Sequence, residues 1–363
     1  MIKKILFLLV ISLLAACAKE EYSSIQTEST ANTFTLDLTK VPYSKLSDYR
    51  FFSGVLKDLN PENGVLPFAP ASALFTNYAK KKRFIWMPKN TTATFATSDQ
   101  SFDFPVGTVL IKSFYYENVQ PSNSTMLIET RLLVKKENGF QAYVYVWNDA
   151  QSEAILEGEQ QGVFKSITWL EKGIEKSVDY KIPSQTECVT CHKTNGNASS
   201  AGLSPISTKP QNLNFTFQYE NTAENQLIKW KSMGFLGNDI PTSINSTVNW
   251  EDNNQALESR ARSYIDANCA HCHQQNGYCD YTPQRFNFST TNVNTFGICL
   301  PTTNQQYGKY IFQPGNADKS AAINRMNSNL GSVKMPIIGR NIIHAEGVQL
   351  LTDYINSLQK NCN

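Results

Sequence analysis

The chain has 363 residues, 33 basic and 31 acidic side chains, 8 cysteines and only 4 histidines. A length of this order exceeds a single core and predicts two or three domains. The near-balanced charge, with no long basic stretch, excludes nucleic acid as a partner.

Lys3 and Lys4 precede the apolar run Ile5 to Leu14, which ends in Leu14-Ala15-Ala16-Cys17. A charged start, a short apolar run and a small-residue cleavage site make residues 1–17 a signal peptide, too short to stay in a bilayer as a helix. A Cys at the cleavage point makes it a lipobox, so Cys17 is expected to become the lipidated first residue; the alternative is an ordinary secretory signal with an incidental Cys. No later stretch is long and apolar enough to span a membrane, which leaves the lipid as the only anchor. Removal of Lys3 and Lys4 takes the 33 basic side chains to 31, matching the 31 acidic ones. Ala18-Lys19-Glu20-Glu21 resembles a surface-export signal of some Gram-negative lipoproteins. The expected location is the outer membrane, facing the periplasm or the cell surface. Residues 18–35, rich in Ser, Thr and Glu, read as a flexible tether.

A β-rich domain is expected over residues 36–180. Phe84 to Trp86, Thr108 to Tyr116, Met126 to Val134 and Gln141 to Trp147 are rich in β-branched and aromatic residues, and Pro, Gly, Asn and Asp turns separate them. The last two runs join through Lys135 to Phe140 as a hairpin, within an antiparallel sandwich-like or barrel-like sheet. Lys80-Lys81-Lys82-Arg83 reads as a solvated turn.

Residues 181–250 carry Cys188-Val189-Thr190-Cys191-His192 and are expected to pack on the β domain. The Gly-, Ser- and Pro-rich residues 195–210 read as loop. A helix is expected from Asn221, with Glu224 completing a capping box, to about Met233. The remainder, 251–363, is predicted as a mostly helical domain. Glu251 to Asn268 presents Leu257, Ala261, Tyr264 and Ile265 on one face, and Glu346 to Lys360 presents Val348, Leu351, Ile355 and Leu358. The first of these helices runs into Cys269-Ala270-His271-Cys272-His273.

Both Cys-rich stretches read Cys-x-x-Cys-His, and chance supplies only about 0.002 such matches in a chain of this composition. In an exported protein this is the attachment pattern of c-type haem: two thiols add to the vinyl groups and the adjacent imidazole binds iron. The cofactor expectation is two covalent haems, on Cys188 and Cys191 with His192, and on Cys269 and Cys272 with His273. Redox dithiols or a zinc site are the alternatives. A zinc site would use both pairs as four thiolates and leave each His unexplained. Of the other cysteines, Cys279 and Cys299 are expected to form a disulfide, leaving Cys362 unpaired.

The sixth ligands separate carrier from enzyme. His271 lies between thioether cysteines, so His344 is the one histidine free to be distal, and two bis-His haems are excluded by count. Met335, followed by Pro336, is the expected distal ligand of the second haem. Met326 is the runner-up, more simply read as core. Arg325 and Arg340 pair with propionates or lie at the surface. For the first haem Met87, Met126 and Met233 are weak candidates, with Met87 read as core, so the sixth ligand stays unassigned and an open or exchangeable site is one of the readings there.

Ala73 to Ala79, Phe104 to Thr108, Glu129 to Leu133, Tyr145 to Asp149, Gln211 to Asn214, Pro314-Gly315, Arg325-Met326, Met335-Pro336 and both haem motifs resemble a family of dihaem c-type cytochromes of unassigned function, often encoded beside a parallel β-helix protein. The resemblance implies two haems and an exported location. The helices flanking Met335 resemble a class I cytochrome c domain, and the N-terminal part is weakly similar to cytochrome P460, where a β-rich domain holds a five-coordinate haem. The fold expectation is therefore α+β multidomain, an N-terminal antiparallel β domain followed by a mostly helical cytochrome c domain. The functional expectation is electron transfer with a redox protein partner. A dihaem peroxidase-like or P460-like oxidase is the alternative, and a sensor or binding module is the third reading.

Overall fold

The computed structural model describes residues 35–158, 161–193, 202–359 and 361–362. The expected lipidation site Cys17 and the tether to residue 34 lie outside the described residues, as do residues 194–201 of the loop after the first motif. Within them the chain is an α+β protein: an antiparallel sheet occupies the first half and short helices the second. Among the described residues no helix is long and apolar enough to cross a membrane.

The sheet has eight strands: β1 (Val65–Pro67), β2 (Lys80–Trp86), β3 (Val109–Val119), β4 (Ser124–Lys136), β5 (Gly139–Trp147), β6 (Ala154–Leu156), β7 (Val163–Glu171) and β8 (Ile174–Ile182). The order is β8-β7-β3-β4-β5-β6, and β2 pairs along β3 while β1 pairs β2. One edge of β3 thus serves two neighbours, β2 up to Tyr115 and β7 at Val119. The expected hairpin joins β4 to β5 with Lys136 opposite Gly139, whose φ of +98° takes the left-handed position of a short turn. Lys172 (φ 51°) and Gly173 (φ 82°) make the equally short turn between β7 and β8.

Period-two alternation divides the sheet into two buried faces. Phe84, Trp86, Val109, Ile111, Leu132, Val134, Tyr143 and Tyr145 pack against the N-terminal segment carrying Leu46, Tyr49 and Phe51. The opposite face carries two apolar clusters. Ile85, Leu110 and Phe140 meet Phe68, Leu213 and Trp230, whereas Phe114, Ile128, Trp169 and Tyr180 meet Cys188 of the first motif.

Lys80-Lys81-Lys82-Arg83 is not a solvated turn. It opens β2, where alternation leaves Lys80 and Lys82 exposed and buries Arg83 to 6% exposure. The middle helix is shorter than expected. Ala223–Asn225 pairs with Thr216–Gln218, and α2 spans Gln226–Ser232 with Asn225, not Asn221, as its cap. Asn225 Oδ1 accepts from the backbone N–H groups of Leu227 and Ile228 at 2.9 and 3.4 Å.

In the second half α3 is Leu257–Ile265, α4 is Ala321–Met326 and α5 is Ala345–Ser357. The helix expected from Glu251 starts late because Asn249 and Asp252 side chains accept from the N–H groups of Glu251 and Asn254, closing turns instead. On the expected faces Ala261, Tyr264 and Ile265 of α3 and Leu351 and Ile355 of α5 are buried together, while Leu257, Val348 and Leu358 are only partly buried and Leu350 and Tyr354 complete the α5 face instead. The helices approach closely at Gly347, where a Cβ would lie 2.1 Å from the Tyr264 hydroxyl.

The disulfide expectation is corrected. Cys299 bonds to Cys362 across a separation of 63 residues, and Cys279 is a buried free thiol. Packing of α5 on α3 returns the C-terminus to Cys299, which spacing along the chain cannot show. Peptide mapping without reduction should therefore recover a Cys299–Cys362 link, and Cys362→Ser should cost about 2–4 kcal/mol of stability. A Cys279–Cys299 peptide would contradict this topology.

Candidate functional site

The first motif follows β8 after the five residues 183–187. Glu187 Oε2 accepts from the Ser184 N–H at 3.0 Å and closes a turn, after which Cys188–His192 forms one helical turn, α1. Cys188 is buried against the sheet, and burial pushes its thiol up to about 11. His192 Nδ1 lies 2.7 Å from the Ser204 carbonyl. A carbonyl only accepts, so Nδ1 carries the proton and Nε2 keeps a bare lone pair. A metal-binding imidazole is oriented in this way, by donating its other ring N–H to a carbonyl. Burial lowers His192 to about 4, which leaves the ring neutral at neutral pH.

Ser204 is itself held in place. Its N–H donates to His192 O, and the Leu203 N–H donates to Phe140 O, each at 2.8 Å. Gly202 (φ +71°) lets this strand pass β5, because a Cβ there would lie 2.6 Å from Gly139 Cα.

The second motif leaves α3 through a wider turn, Asp266–Ala270. Asn268 Oδ1 accepts from the Phe75 N–H at 2.7 Å, and its Nδ2 donates to Tyr264 O at 2.9 Å. Asp266, 2% exposed, accepts from Lys209 Nζ at 2.9 Å, Gln211 Nε2 at 3.3 Å and the Phe288 N–H at 3.0 Å. These bonds tie the segment after the first motif to the base of the second. His273 Nδ1 lies 3.2 Å from the Gln284 amide nitrogen and 3.4 Å from Thr282 Oγ1. Burial lowers His273 to about 4.

A cavity of about 530 Å³ opens beside His273, its walls including Cys269, Cys272, Ile265, Phe286, Phe312 and Leu351, with Met326 and Met335 also present. Its size falls in the range of roughly 300–1,000 Å³ usual for ligand pockets. Imidazole, paired thiols, thioethers and apolar walls together fit a covalent haem. A smaller cavity of about 80 Å³ adjoins His192. Its donors fit a haem but its volume does not, so binding there requires the walls to move. Cys191, Tyr264, Asn268, His271, Met326 and Met335 line both spaces.

The two motifs touch. Cys191 Sγ, Cys272 Sγ and a ring nitrogen of His271 all lie within 4.8 Å of one another. Cys272 Sγ also donates to Thr190 O at 3.5 Å. The hydrogen bond from Cys272 and the nearby His271 draw the Cys191 thiol well below its ordinary value. His271, expected to point away, sits at this contact; it is 6% exposed and its Nδ1 has no hydrogen-bond partner. Neither Cys188 nor Cys269 belongs to the group, so the four thiols do not converge as a four-thiolate zinc site requires.

Met335 and Met326 both line the cavity of His273, and Met326 also packs on the core, the simpler role expected of it. The loop bearing Met335 hangs on Arg340. Its Nε donates to Met335 O at 3.1 Å, and Nη2 donates to Met326 O and Ser328 O at 2.9 and 2.7 Å. Nη1 donates to Asn329 Oδ1 at 2.9 Å. Arg340 is 4% exposed, which corrects the expectation of a surface residue, and its donors are spent on this loop. Arg325 uses Nε on Val333 O at 2.8 Å and lines the larger cavity.

Met87, Met126 and Met233 line neither cavity, and Met87 is core. His344 lines the smaller one. Its ring stacks on Phe75 at 4.0 Å, and Nδ1 lies 2.8 Å from the Tyr264 hydroxyl. The Phe75–Asn77 stretch thus organises both sides. Asn77 Oδ1 also accepts from the Asn341 N–H at 2.6 Å, beside the Met335 loop.

Removing the Asp266 carboxylate leaves Lys209 buried without a partner. Asp266→Ala should lower stability by about 3–5 kcal/mol in chemical denaturation, whereas pairing Asp266→Leu with Lys209→Met should restore most of it. Equal losses in the single and double variants would refute a charge-based link.

Comparison with protein-family models, with curated proteins and with solved structures finds no match for this chain.

Proposed function

We propose that this chain is an exported, lipid-anchored dihaem c-type cytochrome that passes single electrons. The observation that carries the reading is the meeting of two complete Cys-x-x-Cys-His motifs at Cys191 and Cys272, each with its own imidazole outside the contact. Two bound c-type haems supply a one-electron iron couple at neighbouring positions. The chain's part is to fix those positions: His192 through Ser204, His273 beside Gln284 and Thr282, and the Met335 loop through Arg340. Apolar walls at Ile265, Phe286 and Leu351 exclude water and keep the surroundings constant during electron exchange.

In this reading Cys188, Cys191, Cys269 and Cys272 would hold the cofactors, His192 and His273 would each supply an imidazole to iron, and Met335 would supply a thioether to the second iron. The C-terminal part acts as the cytochrome c domain, Cys17 carries the lipid at the outer membrane, and the partner is a redox protein. In this reading the chain resembles a family of dihaem c-type cytochromes of unassigned function.

A second reading, an enzyme with an open first haem, is favoured by one observation. Met335 lines both cavities but can ligate only one iron, and Met326 and His344 are the alternatives beside His192. The His344 ring is already engaged at Nδ1 by Tyr264.

The purified protein should carry a covalent mass increment of two haems, falling to one in a Cys188→Ala, Cys191→Ala variant; an unmodified mass would refute the proposal. Reduced protein should be insensitive to CO if both irons are six-coordinate, and a CO-induced Soret shift would favour the enzyme. Met335→Ala should abolish the thioether charge-transfer band of the ferric protein. Persistence of that band would assign Met326 instead.

A further inference from the structure

The face of the sheet toward His192 carries more positive charge than the chain neutralises. Arg83 on β2 stands opposite Lys112 on β3, and Lys112 stands opposite Arg131 on β4. Directly paired residues of neighbouring strands share a face, with Cβ atoms about 5 Å apart, and like charges there repel. Lys81 lies on the same face, two residues before Arg83, with Nζ donating to Leu74 O at 2.9 Å.

Among the described residues one carboxylate, Glu129, answers these four cations. It is 0% exposed and already accepts from Arg131 at 2.6 and 2.8 Å and from the Tyr180 hydroxyl at 2.7 Å. Arg83 has no such partner: it is 6% exposed, and its Nε and Nη2 make no hydrogen bond. Lys112 lies 4.8 Å and Arg131 4.5 Å from the centroid of the Phe114 ring, and both line the cavity that holds His192. Burial, with repulsion from Arg83, Arg131 and Lys81, holds Lys112 well below the ordinary lysine range. Buried cations without counter-charge are costly, and apolar clusters on either side of this row leave little water to screen them.

We propose that Lys112 and Arg131, which line the cavity of His192, and Arg83, which stands behind them opposite Lys112 in β2, form an anion subsite that receives a carboxylate or small oxyanion. Two sources share this chemistry. One is a propionate of the first haem, which rests on the haem reading above. The other is a free oxyanion admitted to the cavity, which does not. In either case the planar guanidinium of Arg83 gives the anion paired N–H donors, and Lys112 adds a compact charge.

The test uses the full exported protein, with haem content measured first so that failure of the haem reading is seen separately. Thermal unfolding is followed as inorganic phosphate is added at constant ionic strength, and resonance Raman spectra record the propionate bending modes. If the anion is free, phosphate raises Tm saturably, its apparent affinity falls about tenfold or more in Arg83→Gln, and Arg83→Lys retains part of it. If the anion is a propionate, phosphate has no effect, and a propionate mode shifts in Arg83→Gln and less in Arg83→Lys. An absent phosphate response together with unchanged propionate modes in folded Arg83→Gln would overturn the proposal. So would an Arg83→Met variant that is more stable than wild type and leaves both readouts unchanged.

Discussion

The contact between the two Cys-x-x-Cys-His turns is the constraint on which the rest of the molecule depends. Thr190 and Cys272 are separated by 82 residues, yet the carbonyl of one accepts from the thiol of the other. Bringing them together fixes α1 at the end of β8 and the Asp266–Ala270 turn at the end of α3. Closing a chain segment of that length costs entropy, and the buried Lys209–Asp266 bond and the Asn268–Phe75 bond offset it. The halves of the chain therefore share one interior at the motifs.

A second consequence concerns the histidines. Only 4 are present, and each occupies a distinct electrostatic setting. His192 faces a carbonyl that fixes its tautomer, His273 faces an amide and a hydroxyl, His271 sits beside two thiols with its Nδ1 unpartnered, and His344 is packed among aromatic rings. Burial keeps His192, His273 and His344 neutral, which suits ligation and removes them as pH-dependent charges near neutrality.

The strands were legible because alternating β-branched and aromatic residues declare both their period and their buried face, and β3, β4 and β5 cover the runs that this pattern selects. The motifs were legible because their spacing has one main chemistry. What spacing cannot carry is the neighbour across the fold. The charge run at Lys80 looked solvated because only exposed lysines are common, whereas alternation in β2 sends every second cation inward beside Lys112. The Ala223–Asn225 ladder displaced the expected capping box, and the return of α5 gave Cys299 a distant partner. Ser204 and Gln284 had no signal at all, since a backbone carbonyl leaves none in sequence and a lone Gln is unremarked until it stands beside His273.

The central claim is that the motifs hold two haems as close neighbours. Electron paramagnetic resonance of the fully oxidised protein tests it most directly. Two adjacent ferric centres should broaden one another's signals, and reducing the higher-potential haem should sharpen the signal that remains. Two signals whose shapes are indifferent to the redox state of the other haem would contradict the account.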